Sequence, residues 1–171
     1  MPHVILGLLM LWPQSLYELT KNFESGISLF YSSSTGSIKR ALDRLLSAGH
    51  IRVASTGGRR GKQTFEITDS GRDELRRWRH EELIGADFET AALSRSFFLG
   101  LLPAAERPEV AARIERRIAT EQARLEAIRE RVATDGVPEE WRDVARYQLA
   151  TLEYGLASCR TARDWARTHL V

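Results

Sequence analysis

Residues 56–68 read TGGRRGKQTFEIT. Three glycines (Gly57, Gly58, Gly61) and three cations (Arg59, Arg60, Lys62) stand between two β-prone runs, residues 51–54 and 64–67. Glycine permits positive φ and a tight turn, so the segment predicts a hairpin with a cationic tip. Like charges held that close repel one another unless an anion joins them. The candidate anions are an ATP phosphate and a nucleic-acid backbone, with plain solvation as the bland alternative. A Walker motif ending at Gly61-Lys62 needs glycine at 56, Ser or Thr at 63, and then a helix. Here stand Thr56, Gln63 and a strand pattern, so the ATP reading is rejected.

A second cationic set lies just upstream. Ile38, Leu42, Leu45 and Leu46 recur at helical spacing, and Lys39, Arg40, Asp43 and Arg44 occupy the opposite face. From Lys39 to Lys62 there are seven basic residues and one acid, in a chain whose net charge is only +2. Such asymmetry points to a local anionic partner. A hydroxyl cluster, Ser32-Ser33-Ser34-Thr35 and Ser37, leads into this helix. Hydroxyls and the N–H groups of a helix N-terminus suit phosphate oxygens. The expected DNA contacts are therefore Ser34, Thr35, Ser37, Lys39, Arg40, Arg44, Arg59, Arg60 and Lys62. A single charge run is usually a solvated face, but here two runs fall on the two elements that a winged helix presents to DNA.

Other chemistry finds little footing. His3, His50, His80 and His169 are scattered, and no H-E-x-x-H, C-x-x-C or G-x-S-x-G occurs. The chain is expected to hold no catalytic residues, no metal and no cofactor. Cys159 is the only cysteine, which rules out an internal disulfide and fits a reducing compartment. It reads as a buried thiol rather than a nucleophile. Trp141, Tyr147, Tyr154 and Trp165 on the last helix read first as core or interface packing, and second as the wall of a ligand pocket between subunits.

These residues require a scaffold. The apolar run at 4–12 is too short to span a bilayer and lacks a basic leader, so it predicts a buried first helix, no signal peptide and a cytoplasmic protein. Pro13 breaks that helix. Ser15 with Glu18 forms a capping box for a second helix, whose Leu16, Leu19 and Phe23 share a face. Ser25-Gly26 closes it. The third helix ends at Gly49, two strands follow, and Thr68 caps a fourth helix. In that helix Leu75 and Trp78 share a face, with Arg72, Arg76, Arg77 and Arg79 elsewhere. The order is three helices, strand, basic hairpin, strand, helix: a winged helix-turn-helix, whose third helix is placed to read the major groove.

Residues 86–90 read as a hinge. Beyond it, 91–102 predict a short helix closed by Pro103, and 106–134 a long helix ended by Asp135-Gly136 and Pro138. Its stripe is Ala111, Ile114, Ile118, Leu125, Ile128 and Val132, interrupted by Glu121. A last helix from about Pro138 carries Ala145, Leu149, Leu152, Leu156 and Cys159 at heptad-like spacing. The fold class expected is mainly α, with a DNA-binding domain over 1–84 and a helical dimerisation domain over 85–171. Leu149, Leu152, Leu156 and Cys159 are the expected dimer seam.

The motifs together resemble the PadR family of bacterial transcriptional regulators, in the branch with a virulence-activator-like helical C-terminal domain. The carriers are Ile5-Leu6-Gly7-Leu8-Leu9, Ser15-Leu16-Tyr17-Glu18-Leu19, Gly36-Ser37-Ile38, Ala41-Leu42-Asp43-Arg44-Leu45, Gly49-His50-Ile51, residues 65–72 and residues 97–102. The resemblance implies a homodimer held by C-terminal helices on a palindromic operator in double-stranded DNA. It implies a regulator, usually a repressor, in some members released by a small aromatic effector. The family often has Tyr-Pro after the position of Ile38, where this chain has Lys39-Arg40. A stacking or hydroxyl contact is thereby exchanged for two cations, which implies more phosphate affinity. The rival reading from the residues is a winged-helix module that binds protein rather than specific DNA.

Overall fold

The computed structural model describes residues 1–57, 62–85, 87–132 and 137–170. The chain divides into two compact units. One comprises Met1–Glu81 with Leu93–Leu102, the other Glu82–Ala92 with Pro103–Val171. The mainly α architecture and the winged helix-turn-helix order are as expected. The division at residue 84 remains an expectation, since Leu93–Leu102 groups with the first unit.

In the first unit, α1 (Pro2–Leu9) is the central helix, with Val4 to Leu9 all buried. Gly7 leaves room for the Phe98 ring, whose atoms lie 2.7 Å from where a Cβ would stand. After Pro13 comes an element that the sequence reading lacks. Gln14–Ser15 is a two-residue strand, β1, paired antiparallel with Phe65 and Thr64. Two residues carry no periodicity, but Gln14 has a reason to be there. Its buried amide donates to the Leu8 carbonyl at 2.8 Å and accepts from Asn22 at 2.6 Å. The break after α1 is thus satisfied internally.

Helix α2 (Leu16–Ser25) begins on the capping box of Ser15 and Glu18, with Leu19 and Phe23 buried. Helix α3 (Thr35–Ser47) buries Ile38, Ala41, Leu42 and Leu45. At its end Gly49 takes φ +72°, with Gly49 N–H on Leu46 O and His50 N–H on Leu45 O, each at 3.0 Å. This is a Schellman closure, and it needs glycine because the left-handed region penalises a Cβ. It turns the chain into β2 (Ile51–Gly57), which pairs with β3 (Lys62–Ile67) in a sheet of order β1-β3-β2. The register slips between Val53 and Ser55. Only Ile51 of β2 is buried, so this strand shows its side chains to solvent.

Thr68 caps α4 (Asp69–His80) by accepting from Gly71 N–H. A Cβ on Gly71 would lie 2.0 Å from the His50 carbonyl oxygen, so only glycine lets α4 meet the end of α3 this closely. Leu75 points inward as expected. Arg79 does not point outward: it is 3% exposed. Spacing alone set it apart from the face of Leu75 and Trp78, but it falls four residues after Leu75, on the packed face.

Helix α5 (Phe88–Phe97) starts where a hinge was expected, because Asp87 accepts from Thr90 N–H at 2.9 Å. The unit boundary falls inside this helix. Residues 99–101 form a 3₁₀ turn rather than extending α5 to 102. Helix α6 (Arg107–Arg131) and helix α7 (Arg142–His169) pack on each other. Arg163 reaches Gln122, Gly155 faces Leu125 and Arg129 faces Glu153, so the two run antiparallel. The expected helix end at Asp135-Gly136 lies outside the described residues.

Candidate nucleic-acid interface

The face begins with how α3 is started. Ser34 Oγ accepts from Ser37 N–H at 3.2 Å, and Ser37 Oγ accepts from Ser34 N–H at 2.9 Å. Ser37 Oγ also donates to the Ser34 carbonyl at 2.7 Å. Two of the hydroxyls expected to contact phosphate are thus already joined to each other and fix the helix start. Thr35 is exposed beside them, on the first turn.

Lys39, Arg40 and Arg44 follow on the exposed side of α3, with Asp43 among them. None of the three cations has an ion-pair partner among the described residues. That is unusual here, since most described arginines of the second unit have one. Three uncompensated cations one to five positions apart on a rigid helix make a strip of positive potential.

The wing differs. Lys62, at the start of β3, is 3.3 Å from Glu18 of the α2 capping box. The Glu18 carboxylate already accepts from Ser15 Oγ at 2.6 Å and Ser15 N–H at 2.7 Å. Those two bonds, with a smaller contribution from Lys62, hold it down at about 2. Glu18 is therefore an anion at any physiological pH, and it occupies Lys62. Arg52 on β2 is likewise engaged, 2.5 Å from Glu66. Sequence distance hid the Lys62 pair, which spans 44 positions. Arg59 and Arg60 lie outside the described residues. Of the nine expected DNA-contact residues, then, Lys39, Arg40 and Arg44 are cations without an ion pair among the described residues, Ser34 and Ser37 are a cap, and Lys62 is paired.

The expected dimer seam divides too. Leu156 and Cys159 are 1% and 0% exposed, buried within the single chain. Burial raises the Cys159 thiol above its usual range, as expected of a packing residue. Leu149 and Leu152 are half-buried. The exposed apolar residues of this region are others: Trp141, Val144, Tyr147 and Tyr154, the last 74% exposed. A heptad pattern does not tell a seam within one chain from a seam between two.

No group of three or more His, Cys, Asp or Glu able to hold a metal is found among the described residues. No helix among them is long and apolar enough to cross a membrane. His50 sits at the α3 terminus with its ring nitrogen 3.1 Å from Ser70 Oγ.

Comparison with known proteins adds to this geometry. Residues 94–170 match the family model described as virulence activator alpha C-term. A probable transcriptional regulator of Mycobacterium tuberculosis, Rv1176c, is 35% identical over 85 residues, covering 48% of this chain and 45% of that protein. The negative transcriptional regulator PadR of Bacillus subtilis is 33% identical over 85 residues, covering 47% of each. The chain thus spans about half the length of the curated relatives it matches. Among solved structures, Bacillus subtilis PadR in complex with operator DNA is 22% identical, with 99% of this chain and 96% of that one covered at a TM-score of 0.43. The Vibrio cholerae virulence activator AphA is 20% identical, with 99% and 95% covered, also at 0.43. The chain is thus similar to the virulence activator alpha C-terminal model over residues 94–170 and to two transcriptional regulators, PadR among them, over about half its length.

Proposed function

We propose that this chain is a sequence-specific DNA-binding transcriptional repressor, acting as a cytoplasmic homodimer on a palindromic operator. The observation that carries the reading is the strip of Lys39, Arg40 and Arg44 on α3, exposed and without acidic partners among the described residues. A recognition helix meets base edges with its first turns, and Thr35, Lys39 and Arg40 stand there. Arg44, one turn on, is placed for backbone phosphate. Arg59 and Arg60 enter on sequence alone, as wing cations for the adjacent phosphates or minor groove. Ser34 and Ser37 act indirectly, by presenting the helix N-terminus.

The homodimer is supported by the exposed Trp141, Val144, Tyr147 and Tyr154, an apolar set that a second subunit would cover. Two copies would place two recognition helices about one DNA turn or a multiple of it apart. Leu149 and Leu152, half-buried, border that surface, while Leu156 and Cys159 belong to the subunit's own core. We assign no enzymatic reaction. A small aromatic effector that releases the protein from DNA is part of the proposal, as the family resemblance implies.

The test is binding of the purified chain to the DNA immediately upstream of its own coding region, by fluorescence anisotropy at several salt concentrations. The expected result is preferential binding to a palindrome there, with log affinity falling steeply against log salt. Equal affinity for any duplex, or none, would replace this reading with a protein-binding winged helix.

A further inference from the structure

Among the cations of α3 stands a single acid, Asp43, to which the DNA reading gives no role. It is exposed, one helical turn after Lys39 and two after Thr35. Residues four and eight positions apart fall close to one line along a helix, here over about 12 Å. Thr35, Lys39 and Asp43 do share a side: all three line the cleft that separates α3 from Lys62 and Gln63 of β3. Asp43 therefore sits on the face assigned to DNA.

Nothing within the protein accounts for this carboxylate. It has no ion pair or hydrogen bond among the described residues. Ser47 Oγ donates to the Asp43 backbone carbonyl at 2.9 Å and leaves the side chain alone. Lys39 stands four positions earlier, but a cation N-terminal to an acid is the weaker order for such a pair, and the pair is not made. On a surface that meets only phosphate, a carboxylate is unfavourable, because it repels the backbone that Lys39, Arg40 and Arg44 attract. It has a use only against a hydrogen-bond donor, since an ionised carboxylate is purely an acceptor. In the major groove cytosine N4 and adenine N6 present amino groups, whereas guanine and thymine present acceptors. Beside the adenine amino group lies N7, an acceptor that a carboxylate would oppose, and cytosine has no such neighbour. The chemistry selects cytosine.

We infer that Asp43 is a specificity-determining residue, whose carboxylate accepts the N4 amino group of a cytosine where α3 enters the major groove. Lys39, one turn earlier, donates to the O6 or N7 of a guanine, so each half-site carries G·C pairs at this point. The assignment rests on the DNA-binding reading and deepens it. The cations of the face supply affinity for any duplex, and its one acid rejects duplexes that offer no amino group there.

The experiment is selection of bound duplexes from a random-sequence library by the full chain, by Asp43→Ala and by Asp43→Asn, with a thermal melt of each protein. The wild type should enrich a cytosine at one position of each half-site. Asp43→Ala should weaken that preference by about tenfold and leave the other positions unchanged. It should also bind a scrambled duplex about two- to threefold more tightly, since one exposed repulsion is gone. Asp43→Asn keeps the size of the side chain, so it serves even where the alanine variant fails to fold. It should admit adenine at the same position, because a carboxamide both donates and accepts, as adenine N7 and N6 require. The same cytosine enriched equally by all three proteins would overturn the assignment and leave the DNA reading intact. Equal loss of affinity for every sequence in both variants would do the same, marking a residue that only shapes α3. A wild-type chain that enriches no sequence would sink the DNA reading itself.

Discussion

The α3 face and the α6–α7 hairpin use the same residues to opposite ends. Both are rich in arginine. On α6, Arg113 pairs with Glu109 at 2.8 Å, and Arg117 and Arg124 both reach Glu121, at 3.1 and 2.5 Å. On α7, Arg142 pairs with Glu139, and across the hairpin Arg129 faces Glu153. On α3, Lys39, Arg40 and Arg44 have nothing of the kind among the described residues. Pairing at i,i+3 and i,i+4 turns a charged helix into a self-contained one. Its absence leaves a positive strip that costs little in water and gains when phosphate releases counterions. Arginine content therefore says nothing about DNA until the partners are known.

The sharpest break in this comparison concerns the hairpin. Leu156→Glu would place a carboxylate where the side chain is wholly enclosed and should cost about 4 kcal/mol or more. Tyr154→Glu, on the outer surface of the same helix, should leave the hairpin folded and act on self-association. Urea unfolding with light scattering separates the two. Equal destabilisation by both would mean that α7 has no free face to offer a partner.

Next in size is the buried ion cluster. Glu121 is 8% exposed, and Arg117 beside it has a side chain only 15% exposed. Glu121→Ala would take away that guanidinium's ion pair, leaving it the Gly85 carbonyl, and should cost about 2–4 kcal/mol, with no change in salt slope on DNA. The bonds from Arg124 and then Arg117 hold the Glu121 carboxyl below its ordinary value of 4.5. With a depressed folded value, its stabilising contribution is present above the unfolded value. It is lost as pH falls through the folded one. Glu121→Gln should remove that part of the acid limb in a stability–pH profile.

For the α3 face the expectation reverses. Arg40→Ala with Arg44→Ala should leave the melting temperature almost unchanged, because neither side chain is buried, or paired among the described residues. It should flatten the slope of log affinity against log salt by about 0.9, for the one phosphate contact assigned to Arg44. Lys39→Ala or Arg40→Ala should also relax base discrimination by about 1–3 kcal/mol at a contacted pair. Anisotropy titrations on operator and scrambled duplexes report both quantities. An intact slope in the double variant removes α3 from the interface.

The smallest effect belongs to the wing. Lys62→Ala should change affinity less than Arg40→Ala, since Glu18 already holds that ammonium. Glu18→Gln keeps side-chain atoms that can serve the capping box but discharges the partner. It should tighten DNA binding by about two- to threefold, the scale of one exposed ion pair. Looser binding would show that Glu18 matters to the interface only through the start of α2.

Short-range chemistry was readable from the residues themselves. The capping box of Ser15 and Glu18, the Thr68 cap, the left-handed Gly49 and the buried stripe of Ile38, Leu42 and Leu45 each depend on neighbours within about one turn. Such features impose the same local geometry wherever the chain later packs, so the winged helix and the hairpin helices were legible. Long-range chemistry was not. The β1 strand exists because Phe65 and Thr64 come alongside Gln14 and Ser15, and Arg79 is buried because of what α4 packs against. Lys62 is spoken for by Glu18, and Leu156 and Cys159 are buried within the chain, through contacts that no periodicity encodes. A one-dimensional pattern states which side chains seek burial or charge. Only the folded chain decides which of them find it internally and which remain for a partner.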